Sequence, residues 1–293
     1  MRRLLRWIAV LVGVAALMGG GLALWVYQAS EAHMRSFARP PGSPPFTHAI
    51  PNDAASIARG EHLLRTRGCA GCHGEQLQGQ LMWGFAVAPN LVALARKESP
   101  ATLETAIRHG IGHDGRAFFS MPSFNFMLMS DADLADLIAY LRQAPLAPTP
   151  ELPAASLPWK IRWDLATGAD GAMPRWLPQV PPLRLLQQSD DPRLRRGEYI
   201  AMTACIECHG FTLKADFPWV DEDHAPNLRV IIGAYDEAAF RHLMKTGKAA
   251  GERELRMMSA VARGRYAHFT DEEVGDLYAY LRSPEPKSAP ASP

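Results

Sequence analysis

The sequence predicts a mainly α chain: an N-terminal transmembrane helix followed by two tandem copies of one small helical domain. Three observations carry this expectation. An uncharged run of 21 residues extends from Trp7 to Tyr27. Segments of the first half recur in the second at a nearly constant offset. Each copy then closes on a stretch whose apolar residues fall at helical spacing.

The run from Trp7 to Tyr27 is rich in Leu, Val, Ala and Gly and is long enough at helical rise to cross a hydrocarbon layer. It exceeds the h-region of a cleaved signal peptide, and Trp7, Trp25 and Tyr27 stand at its ends, where interfacial aromatics belong. It is therefore read as an uncleaved anchor, residues 1–27. Arg2, Arg3 and Arg6 precede it and favour a cytoplasmic N-terminus, which places the rest of the chain outside a bacterial inner membrane, in the periplasm. Residues 28–50 read as a linker.

The repeat is explicit. "RGE" at 59–61 recurs at 196–198, and "APNL" at 88–91 recurs letter for letter at 225–228, both 137 residues later. Gly110 and Gly247 keep that offset. The closing pair is "DADLADLIAYLR" at 131–142 and "DEEVGDLYAYLR" at 271–282. Leu134, Leu137, Ile138 and Leu141 lie on one helical face, and Val274, Leu277, Tyr278 and Leu281 reproduce it. Ser130 with Asp133 and Thr270 with Glu273 are capping-box candidates. The first domain is expected over 51–146 and the second over 191–283. Between them, 147–190 is a proline-rich linker, read as an extended connection with Trp159, Trp163 and Trp176 packed on a surface. The tail 284–293 reads as disordered.

A length of 293 residues suffices for two cores. A net charge of +1, from 31 Lys+Arg against 30 Asp+Glu, provides no field to recruit nucleic acid. The chemistry lies in the cysteines. All four fall in two C-x-x-C-H pentads, Cys69, Cys72, His73 and Cys205, Cys208, His209. Two thiols at this spacing can add to the vinyl groups of a haem, and the adjacent histidine then lies under the iron. A thioredoxin-like dithiol would need a βαβ context, a zinc site would add ligands, and an iron–sulfur cluster would take four cysteines around one centre. Two covalently attached haem c groups are the expectation.

The repeat also locates a sixth ligand. Met121 stands 11 residues after Gly110 and 32 after Pro89, and Met258 stands 11 after Gly247 and 32 after Pro226. Met257 misses both by one, so Met121 and Met258 are the expected thioether ligands. Met82, Met127, Met129, Met173, Met202 and Met244 read as core or gap-filling residues. The carbonyls of Pro89 and Pro226 could accept the second ring N–H of each haem histidine, or the Pro-Asn pairs could simply form turns. The other histidines (33, 48, 62, 109, 113, 224, 242, 268) do not recur in register and read as surface or boundary residues.

"GCAGCHG", "APNL", "MPSFNFMLMSDADLADLIAYLR" and "MSAVARGRYAHFTDEEVGDLYAYLR" resemble paired class I cytochrome c domains, most closely the membrane-bound cytochrome subunits of bacterial alcohol, aldehyde and gluconate dehydrogenases. The resemblance covers 51–283. It implies a three-helix cytochrome fold in each half, His73/Met121 and His209/Met258 ligation, and the carbonyl role for Pro89 and Pro226. Those subunits typically carry three haem domains, whereas this chain has two. The implied function is electron transfer between a dehydrogenase or respiratory complex and an oxidase, quinone site or soluble cytochrome, without substrate conversion by the chain itself. The alternative is a dihaem peroxidase, in which one methionine leaves on reduction.

Overall fold

The computed structural model describes residues 1–39, 45–169, 171–215 and 225–285. The apolar run lies within one 35-residue helix, α1 (Arg2–Ser36), long and apolar enough to cross a membrane.

The first domain begins at α2 (Ala54–Thr66), N-capped by Asp53, whose carboxylate accepts from the Ser56 N–H. The pentad forms α3 (Cys69–His73). A short hairpin, β1 (Gln80–Met82) and β2 (Ala86–Ala88), leads to α4 (Leu91–Lys97), capped by Asn90. Helix α5 (Pro100–His109) begins with proline in its first turn and stops at Gly110, whose φ of 65° suits a residue without Cβ. Helix α6 (Asp131–Gln143) closes the domain, with Ser130 accepting from the Asp133 N–H. Its expected apolar face, Leu134, Leu137, Ile138 and Leu141, is buried in the first core with Leu63, Leu64, Val92 and Leu103.

The proline-rich connection corrects the expectation of an extended chain. It contains α7 (Trp159–Thr167), a 3₁₀ segment Met173–Gln179 and α8 (Leu185–Gln188). No proline lies between Trp159 and Gly171, so the only obstacle to a helix is absent there. Trp176 packs against the second core, whereas Trp159 and Trp163 remain 51% and 40% exposed. Helix α7 lies against the C-terminal end of α1, and this explains a second correction. Helix α1 does not stop at Tyr27 but runs through Gln28–Ser36, within the expected linker 28–50, burying Ser30 and Met34.

The second domain repeats the first: α9 (Pro192–Ala204), α10 (Ile206–His209), α11 (Leu228–Ile231), α12 (Glu237–Thr246), strands β3 (Lys248–Ala249) and β4 (Arg253–Glu254), α13 (Met257–Gly264) and α14 (Asp271–Arg282). The N- and C-terminal helices of each domain pack closely, α2 on α6 and α9 on α14. The recurring "RGE" makes both crossings possible. A Cβ on Gly60 would lie 2.0 Å from the Asp136 carbonyl oxygen, and one on Gly197 would lie 2.1 Å from that of Asp276. The preceding arginine reaches across each crossing: Arg59 to Asp136 at 2.6 Å and Arg196 to Asp276 at 2.7 Å. The tail expected to be disordered lies outside the described residues from position 286 onward, and so does His224.

Candidate functional site

Each pentad occupies one helical turn that starts where the domain's first helix ends, so both cysteines and the histidine emerge close together. The turn that immediately follows is the same in both copies. Gly79 N–H donates to the His73 carbonyl at 2.8 Å, and Ala215 N–H donates to that of His209 at 2.9 Å. Leu77 and Leu213 take matching positive φ values, 58° and 62°. A left-handed leucine is unfavourable, and each is held because it is buried and its carbonyl accepts from the residue after Asn90 or Asn227: Leu91 N–H at 3.0 Å and Leu228 N–H at 2.8 Å.

This loop brings the prolines to the histidines. Nδ1 of His73 donates to the Pro89 carbonyl at 2.8 Å, and Nδ1 of His209 to that of Pro226 at 2.9 Å. A carbonyl only accepts, so the proton is on Nδ1 and Nε2 keeps its lone pair. Burial lowers both histidine pKa values, with the proline hydrogen bonds opposing it in part. Both rings are thus favoured as neutral, singly oriented ligands for a metal. Asn90 and Asn227 hold the proline carbonyls in place by capping α4 and α11.

The four cysteines form no disulfide. Burial pushes Cys69 up to about 11, Cys205 to about 12 and Cys208 to about 11, and raises Cys72 as well. A redox dithiol needs its thiolate pKa lowered, so these environments are wrong for exchange chemistry. Among the described residues no cluster of three or more His, Cys, Asp or Glu converges on a point, as a structural zinc site would require. Paired thiols one turn apart beside an oriented imidazole fit a covalently attached haem.

Met121 lies in the loop before a 3₁₀ turn, Ser123–Asn125, partly buried against the first core. Met258 is not in a loop. It lies in the first turn of α13, partly buried against the second core, while neighbouring Met257 is 60% exposed. Of the other methionines, Met129, Met202 and Met244 are buried in the cores, and Met127 and Met173 pack on the second.

Sequence reasoning missed the contact between the two sites. Glu207, inside the second pentad, accepts from Arg265 at 3.0 Å and from Asn125 of the first domain at 3.0 Å. Arg265 in turn fills the space beside Gly68, just ahead of the first pentad. Glu207 and Arg265 act electrostatically on both Cys72 and Cys208, so one ion pair spans the two attachment helices. Phe124 of the first domain is fully buried in the second core, edge-on to Phe211 at 5.6 Å, two residues after the second pentad. His62, read as an ordinary surface residue, bonds Glu273 across the interface at 2.8 Å. Tyr199, its image in the repeat, bonds Asp133, the image of Glu273. His109, likewise read as peripheral, is buried against Glu104. A polar residue exchanged between copies at a fixed offset is the signal that could have found the interface.

Comparison with known proteins agrees with this geometry. Residues 55–141 match the family model described as cytochrome c oxidase, cbb3-type, subunit III, and residues 194–284 match that described as cytochrome c. The chain is 26% identical over 273 residues to the alcohol dehydrogenase (quinone) cytochrome c subunit of Gluconobacter oxydans (strain 621H), covering 80% of this chain and 56% of that protein. It is 27% identical over 266 residues to the fructose dehydrogenase cytochrome subunit of Gluconobacter japonicus, covering 78% and 52%. The chain spans about half the length of these curated relatives. The two matched segments are therefore cytochrome c domains, and this mainly helical chain carries a pair of them, which implies two haem c groups.

Proposed function

We propose that the chain is a membrane-anchored electron relay. Its two haem domains, 51–146 and 191–283, stand in the periplasm, held at the bacterial inner membrane by α1 with its N-terminus in the cytoplasm. They take electrons from a dehydrogenase-type partner and pass them to an oxidase, quinone site or soluble carrier. The observation that supports this best is the contact of the two attachment helices through Glu207 and Arg265. A relay needs its centres close and fixed, and a contact between the two attachment helices favours both.

In this reading His73 and Met121 hold one iron, and His209 and Met258 hold the other. When bound, haem c would supply one-electron redox chemistry, and a Met/His pair would hold each iron and favour the higher potentials of electron carriers. The chain's own residues do the positioning. Cys69, Cys72, Cys205 and Cys208 fix the haem edges, Pro89 and Pro226 orient the imidazoles, and the two cores exclude water. The relatives' printed names, cytochrome subunits of an alcohol and of a fructose dehydrogenase, favour a dehydrogenase as donor.

Purification from membranes in mild detergent tests this. A dehydrogenase subunit should remain bound, and its substrate should reduce both haems at the rate of turnover. If the chain runs alone and no dehydrogenase substrate reduces it, the donor assignment fails. Peroxide turnover by the reduced protein, with one haem becoming high-spin, would instead support the peroxidase alternative.

A further inference from the structure

The connection between the haem domains holds a feature that electron transfer does not use. Helix α7 turns Arg162 and Leu165 inward and leaves Trp159 and Trp163, one turn apart, on its outer face. Two neighbouring indoles half-exposed on a helix of nine residues are a poor surface for water. What lies next to them on α1 indicates their environment.

Arg162 grips α1 at a definite height. Its guanidinium stacks on the Tyr27 ring at 4.4 Å from the centroid, and Nη1 donates to Ser30 Oγ at 3.0 Å and to Glu31 Oε1 at 2.9 Å. Tyr27 is the last residue of the apolar run. From Tyr27 to Glu31 the helix rises about 6 Å. The polar layer on each side of a bilayer is about 5 to 7 Å thick. The grip therefore falls within that layer. Trp25 and Tyr27, themselves 49% and 51% exposed on α1, stand at the same level. Lys160, highly exposed on α7, is paired with Asp164 at 2.7 Å, so the outer face of α7 carries the two indoles beside a neutralised charge pair.

We propose that α7 is an interfacial helix: Trp159 and Trp163 rest in the lipid headgroup layer and form, with Trp25 and Tyr27, one aromatic belt around the outer end of α1. This rests on the reading that α1 spans the membrane. Indoles prefer this layer because an apolar ring and an N–H donor are both accommodated there. The consequence is orientational. A single helix lets the haem domains swing about its axis, whereas a second contact beside it fixes which face they present along the membrane. Helix α1 is joined to the first domain by Arg116–Glu31 at 2.7 Å and by the Ala117 N–H to the Met34 carbonyl at 2.9 Å, so α7 and the first domain move with it as one body.

The test uses the full-length holo-cytochrome in vesicles of phosphatidylethanolamine and phosphatidylglycerol. Nitroxides are placed singly at Trp163→Cys, Trp159→Cys, Val14→Cys and Leu186→Cys, the native cysteines being consumed by haem. Collisions with dissolved oxygen and with a water-soluble nickel chelate report depth. We expect position 14 to read as hydrocarbon core, position 186 as water, and positions 159 and 163 between them, with an oxygen-to-nickel ratio several-fold above that at 186. A ratio at 159 and 163 equal to that at 186, while 14 reads as core, overturns the inference and leaves the anchor standing. Shielding of 159 and 163 from both reagents also overturns it, because a protein then covers the face. If position 14 reads as water, the anchor reading fails and this inference falls with it.

Discussion

At the scale of residues, the decisive choice is between two adjacent methionines. Register selects Met258, and the structure turns Met258 toward the second core while Met257 faces out. Met258→Ala is expected to abolish the long-wavelength methionine–iron charge-transfer band of one haem and to lower that haem's potential, whereas Met257→Ala leaves both unchanged. Absorbance and redox titration of the two variants check this. The proposed ligands are the part of the site that the sequence offers, because covalent attachment and axial ligation demand fixed residue types at fixed separations. Glu207 and Arg265 are not legible in that way. Glu207 occupies an x position of its motif, where the first copy has Gly71, Arg265 lies outside the motif, and only the docking of the copies gives the pair its partners.

Helix crossings are the level at which the repeated glycines act. Gly→Ala within an exposed helix ordinarily stabilises by about 1 kcal/mol. Gly60→Ala and Gly197→Ala should do the reverse, costing about 2 to 4 kcal/mol each, because the new methyl meets a carbonyl oxygen on the opposing helix and neither backbone can yield. Denaturant midpoints of the holo-protein measure it, and an unchanged or raised midpoint would show that the crossing is not tight. The sequence displayed the recurrence of "RGE" and the apolar faces of the closing helices. It did not display why glycine recurs, since the colliding atom lies 76 residues away in the first copy. The helix α7 was hidden for a different reason. Ten prolines between 144 and 192 dominate the composition, yet they cluster at either side of a proline-free window long enough for a helix.

Considered as a whole, the molecule is two images of one domain facing each other across an interface that is only partly symmetric. His62–Glu273 and Tyr199–Asp133 are equivalent pairs, whereas Phe124 has no aromatic counterpart. Phe124→Ala should therefore loosen the domain it does not belong to, by about 3 to 5 kcal/mol, with hydrogen-exchange protection lost around Ile200, Phe240 and Leu277. The interface should also be acid-labile. Burial tends to raise the pKa of Glu273, but the hydrogen bonds from His62 and the Thr270 N–H prevail, and the net pKa lies below the ordinary 4.5. A carboxylate with a depressed folded pKa contributes its stability above the unfolded value and loses it as the pH falls through the folded one. The thermal midpoint of the holo-protein should thus drop below pH 4.5, and Glu273→Gln should flatten that drop while lowering the midpoint at neutral pH. The buried Phe124 also leaves the second core incomplete without the first domain, so a fragment carrying residues 191–283 alone would expose the apolar surface that this ring covers.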